Sequence, residues 1–151
     1  MTESLGPAAG TCRCGNTRME VSAPPLATMV CHCRGCQRMT SSAFSLSALI
    51  PAEAFRVTAG EPVRGGLRGP DLHHYFCPDC MSWMFTRIDG LDDVVNVRTT
   101  LFDEPGWTDP FIETMTAEKL PWVQTPARHR YEGFPSMEDF QALIEAYVSA
   151  R

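Results

Sequence analysis

Between Thr17 and Ser22 the chain alternates, with Met19 and Val21 facing one way and Arg18 and Glu20 the other. A period of two marks a strand with one buried face. The alternation returns in Phe44, Leu46, Ala48 and Ile50, set against Ser45, Ser47 and Leu49. Residues 26–30 form a continuous apolar run that follows Pro24-Pro25 and delivers Cys31. Residues 72–76, 82–88, 94–101 and 111–115 read as further strands, and 56–58 as a short one, with Asp89-Gly90 as a turn. On the strand at 72–76, His73, Tyr75 and Cys77 share one face, and Leu72, His74 and Phe76 share the other. The segment 61–71 is rich in Gly, Pro and Arg and reads as a loop or edge hairpin; the polar residues 37–42 have room for one helical turn.

The last stretch changes period. Met137, Phe140, Leu143, Ile144, Tyr147 and Val148 recur at helical spacing, behind a Ser136 cap with Asp139 in the reciprocal position. The pattern therefore predicts a mainly β fold ending in one α-helix at about 136–150. Residues 1–10, broken by Gly6-Pro7 and Gly10, read as a flexible lead-in to a single domain over 11–151.

Composition adds limits. A length of 151 residues suits one domain, and 44% hydrophobic residues is ordinary for a globular chain. The first ten residues carry neither a basic region nor an apolar run, so no secretory leader is expected. No apolar stretch approaches the ~20 residues of a membrane helix, and a cytoplasmic location is expected. The net charge of −5 argues against a nucleic-acid partner, and Arg64, Arg68 and the run Arg128-His129-Arg130 read as solvated loops. Nothing in the pattern sets an oligomeric state.

The seven cysteines change the picture most. They fall in three knots: Cys12 and Cys14; Cys31, Cys33 and Cys36; Cys77 and Cys80. In a reducing compartment such knots point to metal rather than disulfides. Zinc favours four tetrahedral ligands. Cys12 with Cys14 makes one grip and Cys77 with Cys80 the other, which closes a structural site. Cys31, Cys33 and Cys36 can wrap a second zinc from one loop, with His32 between them pointing away. That leaves an open fourth position, the layout of a catalytic zinc; His73, His74 or Asp79 would close it if the site were structural. Three thiolates leave zinc a weak Lewis acid, better suited to holding a substrate thiol than to making hydroxide.

Cys12-x-Cys14-Gly15, Cys31-His32-Cys33-x-x-Cys36 and Phe76-Cys77-x-x-Cys80, in this order, resemble the glutathione-dependent formaldehyde-activating enzyme family, which includes centromere protein V. Thr99-Thr100-Leu101 and Lys119-x-Pro121-Trp122 agree as well, and the resemblance covers about residues 10–125. It implies several coiled, mostly antiparallel sheets pinned by zinc, similar to the β-tent type. It implies a structural zinc on Cys12, Cys14, Cys77 and Cys80, and a labile catalytic zinc on Cys31, Cys33 and Cys36. It implies a carbon–sulfur lyase activity that joins glutathione and formaldehyde, with Arg34 and Arg38 as candidates to meet substrate carboxylates. The chain departs from the family in having Met81 where Gly is usual, Gln37 where Arg is frequent, and Glu113 where a histidine aligns. A zinc-stabilised binding module without catalysis is the other reading these residues allow.

Overall fold

A computed structural model describes residues 7–104 and 106–151. Among the described residues, eleven strands form two sheets. The small sheet holds β1 (Ala8–Thr11), β2 (Arg18–Val21) and β5 (Phe55–Ala59), in the order β1-β2-β5. The large sheet holds β3 (Ala27–Cys31), β4 (Ser45–Pro51), β6 (Val63–Gly65), β7 (Leu72–Phe76), β8 (Trp83–Ile88), β9 (Val94–Val97), β10 (Ile112–Thr114) and β11 (His129–Arg130). Its order is β11-β10-β3-β4-β9-β8-β7-β6. Two helices complete the fold, α1 (Arg34–Thr40) and α2 (Met137–Ala150).

The alternation read in the sequence sets the layers. Met19 and Val21 of β2 turn inward onto Ala48 and Ile50 of β4, Met84 and Phe85 of β8, and Val95 and Val97 of β9. This core lies between the sheets, and Phe102 and Trp107 close it with their rings 5.0 Å apart. The opposite face of β3 and β4 is also covered. There Ala27, Met29 and Leu49 pack with Ile112 and Leu143, so α2 shields one end of the large sheet. Ser136 caps α2 as expected, its hydroxyl accepting from the Asp139 N–H at 3.1 Å.

Several boundaries differ from the pattern-based reading. Of the expected lead-in, residues 1–6 lie outside the described residues, whereas Ala8 to Gly10 pair with β2. The strand expected over 94–101 stops at Val97, because Thr99–Leu101 turns into a 3-10 helix. The helical turn placed at 37–42 starts earlier, at Arg34, and gives the fold a second, short helix. Most strand pairs are antiparallel, but β10 runs parallel to both β3 and β11. A parallel neighbour needs a long crossover, and the chain from β4 to β9 supplies it for β3 and β10.

Leu143 is the one buried residue of α2, whereas Met137 at its start is 70% exposed. In urea unfolding of the metal-loaded protein, Leu143→Ala is expected to cost roughly 2–5 kcal/mol. Met137→Ala should change stability by less than about 0.5 kcal/mol. Equal small effects would mean that α2 does not seal the sheet.

Candidate metal centres

Each cysteine knot is built by a turn at the end of a strand. After β1 the chain doubles back, with the Cys12 N–H donating to the Thr17 carbonyl at 3.1 Å and the Gly15 N–H to the Cys12 carbonyl at 3.2 Å. After β7, the Cys77 N–H donates to the Ser82 carbonyl at 3.0 Å and the Met81 N–H to the Cys77 carbonyl at 2.9 Å. Two cross-links join these turns. The Arg13 N–H donates to Ser82 Oγ at 3.1 Å, and Asn16 Nδ2 donates to Asp79 Oδ2 at 3.1 Å. As a result, Cys12, Cys14, Cys77 and Cys80 converge, with their sulfurs all within 4.8 Å of one another. Cys12 and Cys14 sulfurs are 3.6 Å apart, and Cys14 and Cys77 sulfurs 3.8 Å. A sulfur tetrahedron at about 2.3 Å from zinc has edges of about 3.8 Å, so the four thiols fit that ion.

Met81 explains a departure from the family pattern. Its φ of 60° places it in the left-handed region, where a side chain costs about 1–2 kcal/mol and glycine costs little. The turn needs that conformation whatever residue stands there.

The second group also forms locally. Strand β3 ends at Cys31, Cys33 caps α1, and Cys36 lies in its first turn. The Cys36 N–H donates to Cys33 Sγ at 3.3 Å, and the Ser45 hydroxyl donates to Cys36 Sγ at 3.1 Å. Ser45 and Thr114 flank Cys31 on the neighbouring strands. The three sulfurs lie within 4.8 Å of one another, and among the described residues no fourth ligand joins them. Of the residues that could have closed the site, none places a ligand atom within 4.8 Å of all three sulfurs. His73 Nε2 meets Asp89 at 2.8 Å, His74 Nδ1 meets Thr86 Oγ1 at 2.8 Å, and Asp79 meets Asn16.

The thiols of this group titrate against one another. Cys31 is held down to about 5, chiefly by the Cys36 thiol, despite its burial. Cys36 is pushed up, chiefly by Cys31, and Cys33 is pushed up by burial. Without a cation, then, the cluster carries one thiolate, and a divalent ion is what would let all three ionise.

His32 points away from the sulfurs. It is fully buried, and its Nε2 meets Glu113 Oε1 at 2.6 Å. Glu113, also fully buried, pairs through Oε2 with Arg130 Nε at 2.8 Å and has Lys119 Nζ at 4.0 Å. Arg130 is thus anchored rather than part of a free basic loop, and Arg128 lies over the Phe111 ring at 5.9 Å. Gln37 holds α1 down by donating to the carbonyls of His32 at 2.8 Å and Glu118 at 3.0 Å.

The three-cysteine group opens onto a cleft of about 550 Å³. Arg34, Arg38 and Arg68 stand on its rim, with Leu72, Trp83 and Phe134 along its walls. Gly66 closes one side. Its φ is +58°, which favours glycine, and a Cβ there would lie 2.7 Å from Met39 Sδ and displace that side chain.

The profile of the glutathione-dependent formaldehyde-activating enzyme family matches residues 7–118. The chain belongs to this family. A Penicillium rubens protein carrying that name provisionally is 31% identical over 108 residues, covering 66% of this chain. The chain spans only about half of that relative's length, 55%. A Phaeosphaeria nodorum protein of the same provisional name is 27% identical over 143 residues, covering 84% of this chain and 74% of its own. In fold, the chain is similar to a Rhodobacter sphaeroides protein of known crystal structure, with a TM-score of 0.53 and 21% identity. That likeness covers 64% of this chain and 91% of the other.

Two measurements check the centres. Met81→Gly is expected to raise the stability of the metal-loaded protein by about 0.5–1 kcal/mol without changing its metal content. At pH 7, metal uptake by the three-cysteine group should release about two protons, since Cys31 starts as thiolate while Cys33 and Cys36 start protonated. Its affinity should therefore weaken as pH falls, by about a hundredfold per unit near neutrality. Calorimetry in buffers of different ionisation heat, with the four-cysteine group already filled, reads the proton count. A count near zero would contradict the shared-thiolate picture.

Proposed function

We propose that this protein is a zinc-dependent carbon–sulfur lyase that joins and separates glutathione and a small aldehyde such as formaldehyde. The observation that carries the reading is the three-thiol group, which no fourth ligand joins among the described residues and which opens to a cleft of about 550 Å³. Cys12, Cys14, Cys77 and Cys80 hold a structural zinc, and Cys31, Cys33 and Cys36 a labile one. When bound there, zinc supplies a soft Lewis acid that keeps a thiol ionised at neutral pH. The family match and the provisional names of the two fungal relatives support glutathione as the thiol. Seven free cysteines suit a reducing compartment, and we place the protein in the cytoplasm.

The chain's own residues do the positioning. The Cys36 N–H and the Ser45 hydroxyl donate to the sulfurs of Cys33 and Cys36, which fixes their lone pairs and disperses charge. Arg34 and Arg38, exposed and lining the cleft, are the cations we assign to pair with the carboxylates of the tripeptide. Trp83, Leu72 and Phe134 line the wall and displace water from the sulfur's surroundings.

Cys36→Ser tests the reading. The variant should lose one of two zinc ions and keep its fold. Its rate of S-hydroxymethylglutathione formation should fall by more than about 100-fold, since even outer partners of a metal site contribute 10–100-fold. Metal analysis and exchange NMR of the adduct check this. Full turnover would show that the labile zinc takes no part, and would favour a zinc-stabilised binding module.

A further inference from the structure

The cleft has an inner end. Beyond Cys31 and Cys36 it narrows to a chamber of about 150 Å³. The chamber lies over one face of the large sheet, where register brings Asn96 beside Thr86 and Thr86 beside His74. Apolar side chains such as Met29, Leu72, Ile88 and Trp83 line it together with polar ones, among them His74, Thr86, Asn96 and Arg98.

Arg98 is the unusual member. Only 8% of it is exposed, and among the described residues no carboxylate pairs with it. Its Nε is buried without a partner, as is the side-chain oxygen of Asn96. The guanidinium lies 3.7 Å from the Trp83 ring centre, and Trp83 is fixed by donating Nε1–H to Thr86 Oγ1 at 3.2 Å. A guanidinium keeps its charge at neutral pH even when buried. An unpaired buried charge is costly unless a partner arrives. Here a rigid cation lines a space too small for a tripeptide, beside Cys31 and Cys36.

We propose that this chamber is the aldehyde subsite and that Arg98 is a catalytic residue, donating to the carbonyl oxygen as it becomes an oxyanion. The proposal rests on the lyase reading above. In the adding direction, the thiolate sulfur of glutathione gives its lone pair to the carbonyl carbon and forms the C–S bond. The carbonyl π pair moves onto oxygen, and a proton from solvent, equal to the one the thiol released on ionising, converts the alkoxide to a hydroxyl. The negative charge thus moves from sulfur toward the guanidinium, and the total charge in the site is unchanged until protonation. Preorganised donors of this kind act most strongly where water is excluded. A substrate with a permanent carboxylate fits less well. Three thiolates and a divalent ion carry a net −1, the incoming thiolate makes it −2, and Arg98 offsets one of these charges; a carboxylate would raise the uncompensated buried charge from −1 to −2.

The test uses the full chain with Arg98→Met and Arg98→Lys. Thiol affinity is read from the sulfur-to-cobalt charge-transfer band of cobalt-loaded protein on adding glutathione. Turnover is read by exchange NMR with zinc-loaded protein, glutathione, and either formaldehyde or glyoxylate. Arg98→Met is expected to keep glutathione affinity within about threefold while kcat with formaldehyde falls about 10²–10³-fold. Arg98→Lys keeps the charge but not the planar fork, and should lie between; if Arg98→Met does not fold, the kcat loss in Arg98→Lys decides. Wild-type kcat in the folded variants overturns the proposal. So does a loss of kcat matched by an equal loss of thiol affinity, which would make Arg98 a counter-charge only. A loss confined to glyoxylate also overturns it, by making Arg98 a carboxylate clamp. If the wild-type protein shows no thiol band and no acceleration of adduct exchange over the uncatalysed rate, the lyase reading itself fails and this proposal falls with it.

Discussion

Four thiols converge where the turn after β1 meets the turn after β7, and the sulfurs of Cys14 and Cys77 touch across 63 positions of sequence. Neither turn has much else to hold it. Cys12 and Cys77 are buried, but Cys14 is exposed and the hydrogen bonds from Arg13 and Asn16 lie at the surface. A zinc ion there would contribute about 10–16 kcal/mol of apparent affinity, as much as the whole stability of many domains. The small sheet and the β7–β8 hairpin are joined at this point. The wall of the cleft is carried by that hairpin, through Leu72, His74 and Trp83. The position of the wall relative to Cys31 therefore depends on the closed group at the other end of the hairpin.

The three-cysteine group is governed by charge rather than by reach. Its sulfurs are close enough that one thiolate suppresses the ionisation of the next, as the opposite displacements of Cys31 and Cys36 show. A divalent cation removes that conflict but leaves a net negative charge, which favours a soft fourth ligand over hydroxide. The surroundings answer this charge on two sides. Hydroxyl and amide donors from Ser45 and Cys36 reach the sulfurs, and a buried guanidinium stands beyond them. On the far side of β3, His32 is tied to Glu113 and so does not compete for the ion.

What could be read from the chain before its structure was local. The spacing of the cysteines gave both groups, since a knuckle of two or three residues needs no knowledge of the fold. Alternation in β2 and β4 gave the buried faces, and period plus cap gave α2. The misses are long-range. Arg98 lies in a stretch that reads as the polar position of a strand, and only the assembled sheet shows it lining a chamber beside Cys36. Glu113 reads as a replaced histidine, but its meaning comes from a partner 81 residues away. The short helix α1 has no buried residue and hence no apolar period to fix its bounds, so the expected turn at 37–42 starts three residues early, at Arg34. Strand β11 has two residues, too few for any pattern, and pairs with β10 in parallel, which alternation cannot reveal.

The central claim is that seven protein sulfurs are divided between a closed metal group and one that waits for a thiol. X-ray absorption at the zinc edge, on protein loaded with two zinc ions and measured with and without glutathione, tests it directly. The account predicts that the average sulfur count per zinc lies below four in the free protein and rises to four with glutathione, as a lighter ligand is replaced. A sulfur count that glutathione leaves unchanged would contradict it.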